Sequence, residues 1–146
     1  MLAKEIMTTS LVTAGPETPV EEIAQLMMEH RISAVPVVEE DQRLIGIVSE
    51  TDLLRREHSG SADLPQSWWL RLFNARDRIS TTVKETHGHI AKNIMTTPPI
   101  TVHVEATIEE VASVFLRRKI NQAPVVRGGT LVGIVSRGDL VKAIAK

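Results

Sequence analysis

Apolar residues at Val20, Ile23, Ala24 and Met27 follow the i, i+3, i+4, i+7 spacing of one helical face, and the stripe ends near His30. Ahead of it, Thr18-Pro19-Val20-Glu21 reads as a capping box with Pro at the first helical position. The pattern then changes. "AVPVV" (Ala34–Val38) is an unbroken apolar run that reads as a short buried strand. The polar turn "EEDQR" leads into "LIGIVS" (Leu44–Ser49), which predicts a hairpin partner for that strand. A further helix is expected from Ser49, carrying Asp52, Leu53 and Leu54, and a short strand from Leu11 to Thr13 precedes the first helix.

The same order returns later in the chain. Ile6–Leu54 aligns with Ile94–Val141 at an offset of 88 residues, falling to 87 after one deletion before Leu131, with 20 of 49 positions identical. In the second copy Thr107-Ile108-Glu109-Glu110 caps a helix striped by Ile108, Val111, Ala112 and Phe115. "APVV" (Ala123–Val126) and "LVGIVS" (Leu131–Ser136) form its hairpin, and "PIT" (Pro99–Thr101) its leading strand. Chance does not produce this; the chain is a tandem duplication. The expected fold class is α/β (α+β): two β-α-β-β-α repeats packed with pseudo-twofold symmetry. Repeat 1 is assigned to residues 1–56, a helical insert to 57–92 and repeat 2 to 93–146. One unit of about 50 residues buries too little surface to be stable alone, so the two are expected to share a core.

Composition narrows the function classes. The chain has 42% hydrophobic and 24% charged residues, as soluble globular proteins do, with only 3% aromatic and no Tyr. A net charge of −1 provides no basic field for nucleic acid or an anionic membrane surface. There is no Cys, hence no disulfide and no thiolate chemistry. The opening "MLAKEIMTTS" lacks the apolar core of a signal peptide, and no run reaches the roughly 18 apolar residues of a membrane span. The cytoplasm is the expected compartment.

The frame "GIVSETD" (Gly46–Asp52), repeated as "GIVSRGD" (Gly133–Asp139), carries the candidate chemistry. Ser49 and Ser136 stand at helix N-termini, where unpaired N–H groups and the dipole favour an anion such as phosphate. Asp52 and Asp139, three residues on, offer two acceptor oxygens. A carboxylate repels phosphate, so the vicinal diol of a ribose is the better partner, as in dinucleotide folds. A flat adenine would then lie against Ile32, Ala34 and Pro36, or against Ile120, Gln122 and Pro124. Gly46 removes a side chain where the backbone passes close to a ligand or to the paired repeat. Arg137, whose counterpart is Glu50, makes the Ser136–Asp139 copy the better phosphate site on charge.

These residues closely resemble a tandem pair of CBS domains, often called a Bateman module. The resemblance rests on "IMT", the hydrophobic–Thr before the first helix, "ISAVPVV"/"INQAPVV" and "GIVSxxD", each present twice and covering nearly everything outside residues 56–92. "SWWLRLF" and "KETHGHIAKNIMT" also look like a branch of bacterial stand-alone CBS pairs. The resemblance implies that the motif Asp binds ribose, that Ser or Thr binds phosphate, and that Thr13 and Thr101 line the same cleft. Many nucleotide-binding members put a basic residue just after the Ile, where this chain has Ser33 and Asn121. Phosphate neutralisation then falls to neighbours such as Arg137. The family also implies a homodimer built on exposed helices.

A plainer reading of the same frame is a helix cap: Ser49 and Ser136 capping, with Asp52 and Asp139 at the third position. The sequence shows no Ser–His–Asp set and no paired carboxylates facing a common cleft apart from Asp52 and Asp139, which repeat symmetry places in equivalent, separate sites, so no enzyme is expected. His87-Gly88-His89 lacks an obvious third metal ligand, so no metal is expected, and "RGD" at Arg137–Asp139 belongs to the repeat motif. Trp68–Phe73 is assigned to cover the core or a subunit interface. The expectation is a stand-alone sensor that binds an adenosine nucleotide (AMP, ADP or ATP, with NAD or S-adenosylmethionine as further options) in the cleft between the repeats, with no effector domain in cis. No cofactor is required, and output passes through an unidentified protein partner or self-association. The alternative is a structural or protein-interaction dimer module without a functional nucleotide site.

Overall fold

The computed structural model describes residues 1–58 and 89–145. The Trp68–Phe73 segment, His87 and Gly88 lie outside the described residues. The elements in order are α1 (Ala3–Ile6), α2 (Val20–His30), β1 (Ala34–Val38), β2 (Leu44–Ser49), α3 (Glu50–His58), α4 (Ala91–Ile94), β3 (Val102–His103), α5 (Ile108–Arg118), β4 (Gln122–Arg127), β5 (Thr130–Ser136) and α6 (Arg137–Ala145). None of these helices is long and apolar enough to cross a membrane.

The expected helices and hairpins form, with three local differences. The leading strand of the second copy is Val102–His103 rather than Pro99–Thr101, paired parallel to β4 through Val102–Val125 and His103–Val126. In the first copy this strand shrinks to a single parallel bridge between Ala14 and Val37. The residues predicted as strand are one step early because it is Ala14 in the first copy, and Val102 and His103 in the second, that find partners beside the hairpin. The third difference is at the start of α2. Pro19, not Thr18, takes the cap position, and the Thr18 hydroxyl accepts the Gly15 N–H at 2.9 Å, bracing the turn before the helix. The second copy does form its box: Glu110 N–H donates to Thr107 Oγ1 at 3.1 Å and Thr107 N–H to Glu110 Oε2 at 3.3 Å.

The chain divides into two compact units, and they do not follow the order of the copies. Unit 1 holds Met1–Leu11, Glu40–Leu44 and Pro99–Lys146; unit 2 holds Val12–Glu39 and Ile45–Pro98. The "IMT" segments have therefore changed places. Met1–Leu11 joins the second copy, where Thr8 and Ile134 exchange two backbone hydrogen bonds of 2.8 and 3.0 Å beside β5. The segment after the insert joins the first copy, where Thr96 and Ile47 do the same at 2.8 and 3.2 Å beside β2. In unit 1 the core gathers Ala3, Val102, Val104, Val111, Phe115, Ala123, Val125, Val135 and Leu140. In unit 2 it gathers Val20, Ile23, Ala24, Met27, Val35, Val37, Val48, Leu53 and Ala91. The helix stripes read from sequence face these cores.

Candidate functional site

Each copy places its motif at the step from the last strand into the last helix, and each motif lies wholly within one unit. In unit 1, Asp139 folds back on Ser136: its Oδ2 accepts the Ser136 N–H at 2.8 Å and the Ser136 hydroxyl at 3.0 Å. The Asp139 N–H in turn donates to Ser136 Oγ at 3.3 Å. Unit 2 repeats this arrangement, with Ser49 N–H and hydroxyl donating to Asp52 Oδ2 at 2.8 and 3.1 Å and Asp52 N–H to Ser49 Oγ at 3.2 Å. Each serine hydroxyl thus gives its one proton to its own aspartate, a reciprocal cap of the helix that follows.

The start of each helix is also tied to the neighbouring strand. Arg137 N–H donates to the Asn121 carbonyl at 2.9 Å, and Glu50 N–H to the Ser33 carbonyl at 3.0 Å. Gln122 stands opposite Ser136 in the β4–β5 ladder. Ser136, Arg137, Asp139, Asn121 and Gln122 are therefore brought together at one corner of unit 1, with Thr101 one residue ahead of the first β3–β4 pair. Asn121, Arg137 and Thr101 are exposed, Gln122 and Ser136 half-buried. In unit 2, Ser33, Ser49 and Asp52 gather likewise, and Thr13 precedes the Ala14 bridge.

The apolar residues assigned to the base have structural work of their own. Ile32 and Ile120 follow left-handed residues (Arg31, φ 54°, and Lys119, φ 54°) and send their N–H groups back to Met27 and Phe115 carbonyls at 3.0 and 3.1 Å. This closes α2 and α5 while their side chains pack on the two cores. Ala34, Pro36 and Pro124 are buried in their strands.

The structure adds two features to the sequence reading. The first concerns the motif glycine. A Cβ on Gly46 would meet Met95 Sδ at 2.5 Å and the Thr96 carbonyl at 3.2 Å, and one on Gly133 would meet the Met7 side chain. The close approach expected at this glycine is made by the exchanged "IMT" methionine. The second is an asymmetry between the aspartates. Asp52 is 6% exposed and its Oδ1 accepts the Thr96 hydroxyl at 2.9 Å. Asp139 is half-buried, and its Oδ1 takes no bond from any described residue. The signal for Thr96 was present, since "IMTT" is identical in both copies.

Two copies of one helix-and-hairpin unit, each ending in a Ser–Asp helix start, define a tandem-repeat module. The chain belongs to the CBS-domain family, whose model matches residues 3–59 and 91–146. It is 35% identical to the CBS domain-containing protein CBSX1, chloroplastic, of Arabidopsis thaliana, over 95% of this chain and 62% of that protein. It thus spans about three-fifths of that relative's length. Inosine-5'-monophosphate dehydrogenase of Korarchaeum cryptofilum is 32% identical over 94% of this chain, which corresponds to 23% of the enzyme. Among solved structures, CBSX2 in complex with AMP superposes with a TM-score of 0.75 at 26% identity, covering 99% of this chain and 96% of that one.

Proposed function

We propose that the chain is a regulatory module that binds an adenosine nucleotide, AMP, ADP or ATP, through the Ser136–Asp139 motif of unit 1. The observation that carries the reading is Asp139 Oδ1, which accepts no bond from any described residue while two bonds to the other oxygen orient the carboxylate. A ribose diol supplies the donors that such a carboxylate oxygen lacks. The CBSX2 complex with AMP supports the ligand class. The Ser136 proton is committed to Asp139, so the phosphate contact falls to Arg137, which is exposed beside the motif and carries the neutralising charge. Nucleotide binding shifts an equilibrium between arrangements only by its differential affinity, typically ~1–3 kcal/mol. Output then runs through self-association or a protein partner. Exposed Leu116 (81%), Val141 (64%) and Ile144 (76%) on α5 and α6 support such a contact. The rival reading, a structural or interaction dimer, is favoured by the reciprocal caps, which give both motifs a purpose without any ligand.

Thermal unfolding with AMP, ADP and ATP separates the two. A ligand at about 100 times its dissociation constant adds roughly 2.7 kcal/mol, a rise of several degrees for a chain of this size. The rise is expected for the native chain and lost in Asp139→Ala. Absence of any rise at millimolar nucleotide sinks the proposal and leaves the structural module.

A further inference from the structure

Resting on that reading, we infer that Thr96 acts as a built-in substitute for a ribose hydroxyl, closing the Asp52 site and limiting the chain to one nucleotide. The two motifs share the "GIVSxxD" frame, cap geometry and backbone ties, yet their carboxylates differ in burial and in one hydrogen bond. Asp52 Oδ1 receives a hydroxyl proton from Thr96 at 2.9 Å, the same kind of donor that a sugar diol presents. Thr8, the equivalent residue of the other copy, makes no such bond to Asp139. The Thr96 hydroxyl is fixed in place by its backbone. Thr96 and Ile47 exchange two main-chain hydrogen bonds, and next to them Thr97 Oγ1 donates to the Ile45 carbonyl at 3.0 Å. A sugar entering this site must displace a donor that is already bonded and pre-positioned, and the carboxylate it seeks is 6% exposed.

Charge works in the same direction. The residue after the serine is Glu50 here and Arg137 in unit 1, so the phosphate side of the Asp52 site carries the unfavourable sign. Adenosine, which has no phosphate, therefore isolates the effect of Thr96 from that of Glu50.

The test uses the full chain with Asp139→Ala, so that only the Asp52 site remains, and adds Thr96→Ala or Thr96→Ser. Thr96 is exposed, so its truncation leaves no core cavity, and far-UV circular dichroism confirms that each variant is folded. Millimolar adenosine is expected to raise the unfolding temperature of Asp139→Ala/Thr96→Ala by several degrees. It is expected to leave Asp139→Ala and Asp139→Ala/Thr96→Ser unmoved, since serine keeps the hydroxyl. A folded Thr96→Ala variant that gains no response overturns the inference, as does an equal response with serine. Calorimetry on the native chain gives a second readout: one AMP per chain, kept in Asp52→Ala and lost in Asp139→Ala. Two AMP per chain, one of them removed by Asp52→Ala, also refutes the closed site. A native chain that binds nothing beside a Thr96→Ala variant that does would reject the Asp139 reading while upholding the role of Thr96.

Discussion

Replacing Gly133 by Ala tests the contact that ties the "IMT" segment to the "GIVSxxD" frame within unit 1. The new Cβ would meet Met7 Cγ at 2.8 Å and Met7 Cβ at 3.1 Å, besides the Met7 sulfur. The sulfur can swing aside, but Cγ, the closer carbon, stays within one bond of a Cβ that cannot move. It is held next to Thr8, whose backbone is bonded twice to Ile134 at 2.8 and 3.0 Å. Overpacking of this kind costs about 1–3 kcal/mol. Alanine restricts the unfolded chain more than glycine does and returns about 0.4–1 kcal/mol. The net expectation is a loss of about 1–2 kcal/mol, or roughly 3–8 °C in unfolding temperature for a chain of this length. Urea unfolding followed by circular dichroism measures it directly. Adding Met7→Ala removes the sulfur and Cγ, so the double variant should recover about 1 kcal/mol relative to the sum of the single changes. A Gly133→Ala chain as stable as the native one would refute the argument, because Met7 would then not occupy the space the glycine leaves. The glycine would have to be explained by something other than packing.

Two further outcomes follow from local geometry. Lys119 closes α5 at φ 54°, ψ 48°, a left-handed position, so Lys119→Gly should be more stable than Lys119→Ala by about 1 kcal/mol in urea titration; equal stabilities would contradict the assignment. Asp52→Ala removes three accepted bonds from a buried carboxylate and Asp139→Ala two from a half-buried one, so the first should cost about 1–2 kcal/mol more. Equal losses would show that the Thr96 bond contributes nothing to stability.

Much of the architecture was legible because each helix buries a stripe and each hairpin strand a run. Val20, Ile23, Ala24 and Met27 line a core as their spacing requires. The leading strands were misplaced because a two-residue parallel ladder leaves no alternation to read, only the partner residues Val125 and Val37 of the hairpin strand. At α2 the Thr–Pro pair offered two cap positions, and local pattern does not choose between them. The exchange of "IMT" segments was hidden for a different reason. Ile6-Met7-Thr8 and Ile94-Met95-Thr96 are identical, so each fits either glycine, and chain connectivity rather than chemistry decides which goes where. The serine–aspartate cap was readable; the difference between the aspartates was not, since it depends on Thr96, 44 positions away from Asp52.

The exchanged segments set an order of assembly. Residues Val12–Glu39 and Ile45–Pro98 can close unit 2 once Pro98 has left the ribosome. The first eleven residues emerge earliest, yet they wait longest, because Ala3 bonds Ala106 and Thr8 bonds Ile134. Such distant pairings slow folding, since loop closure precedes any gain from the contact. The history of the gene is constrained in the same way. A single-copy ancestor could complete its own β2 edge only by keeping its leading segment or by lending it to a second chain. Fusion in tandem turns that loan into an intramolecular trade, after which neither copy is whole without the other.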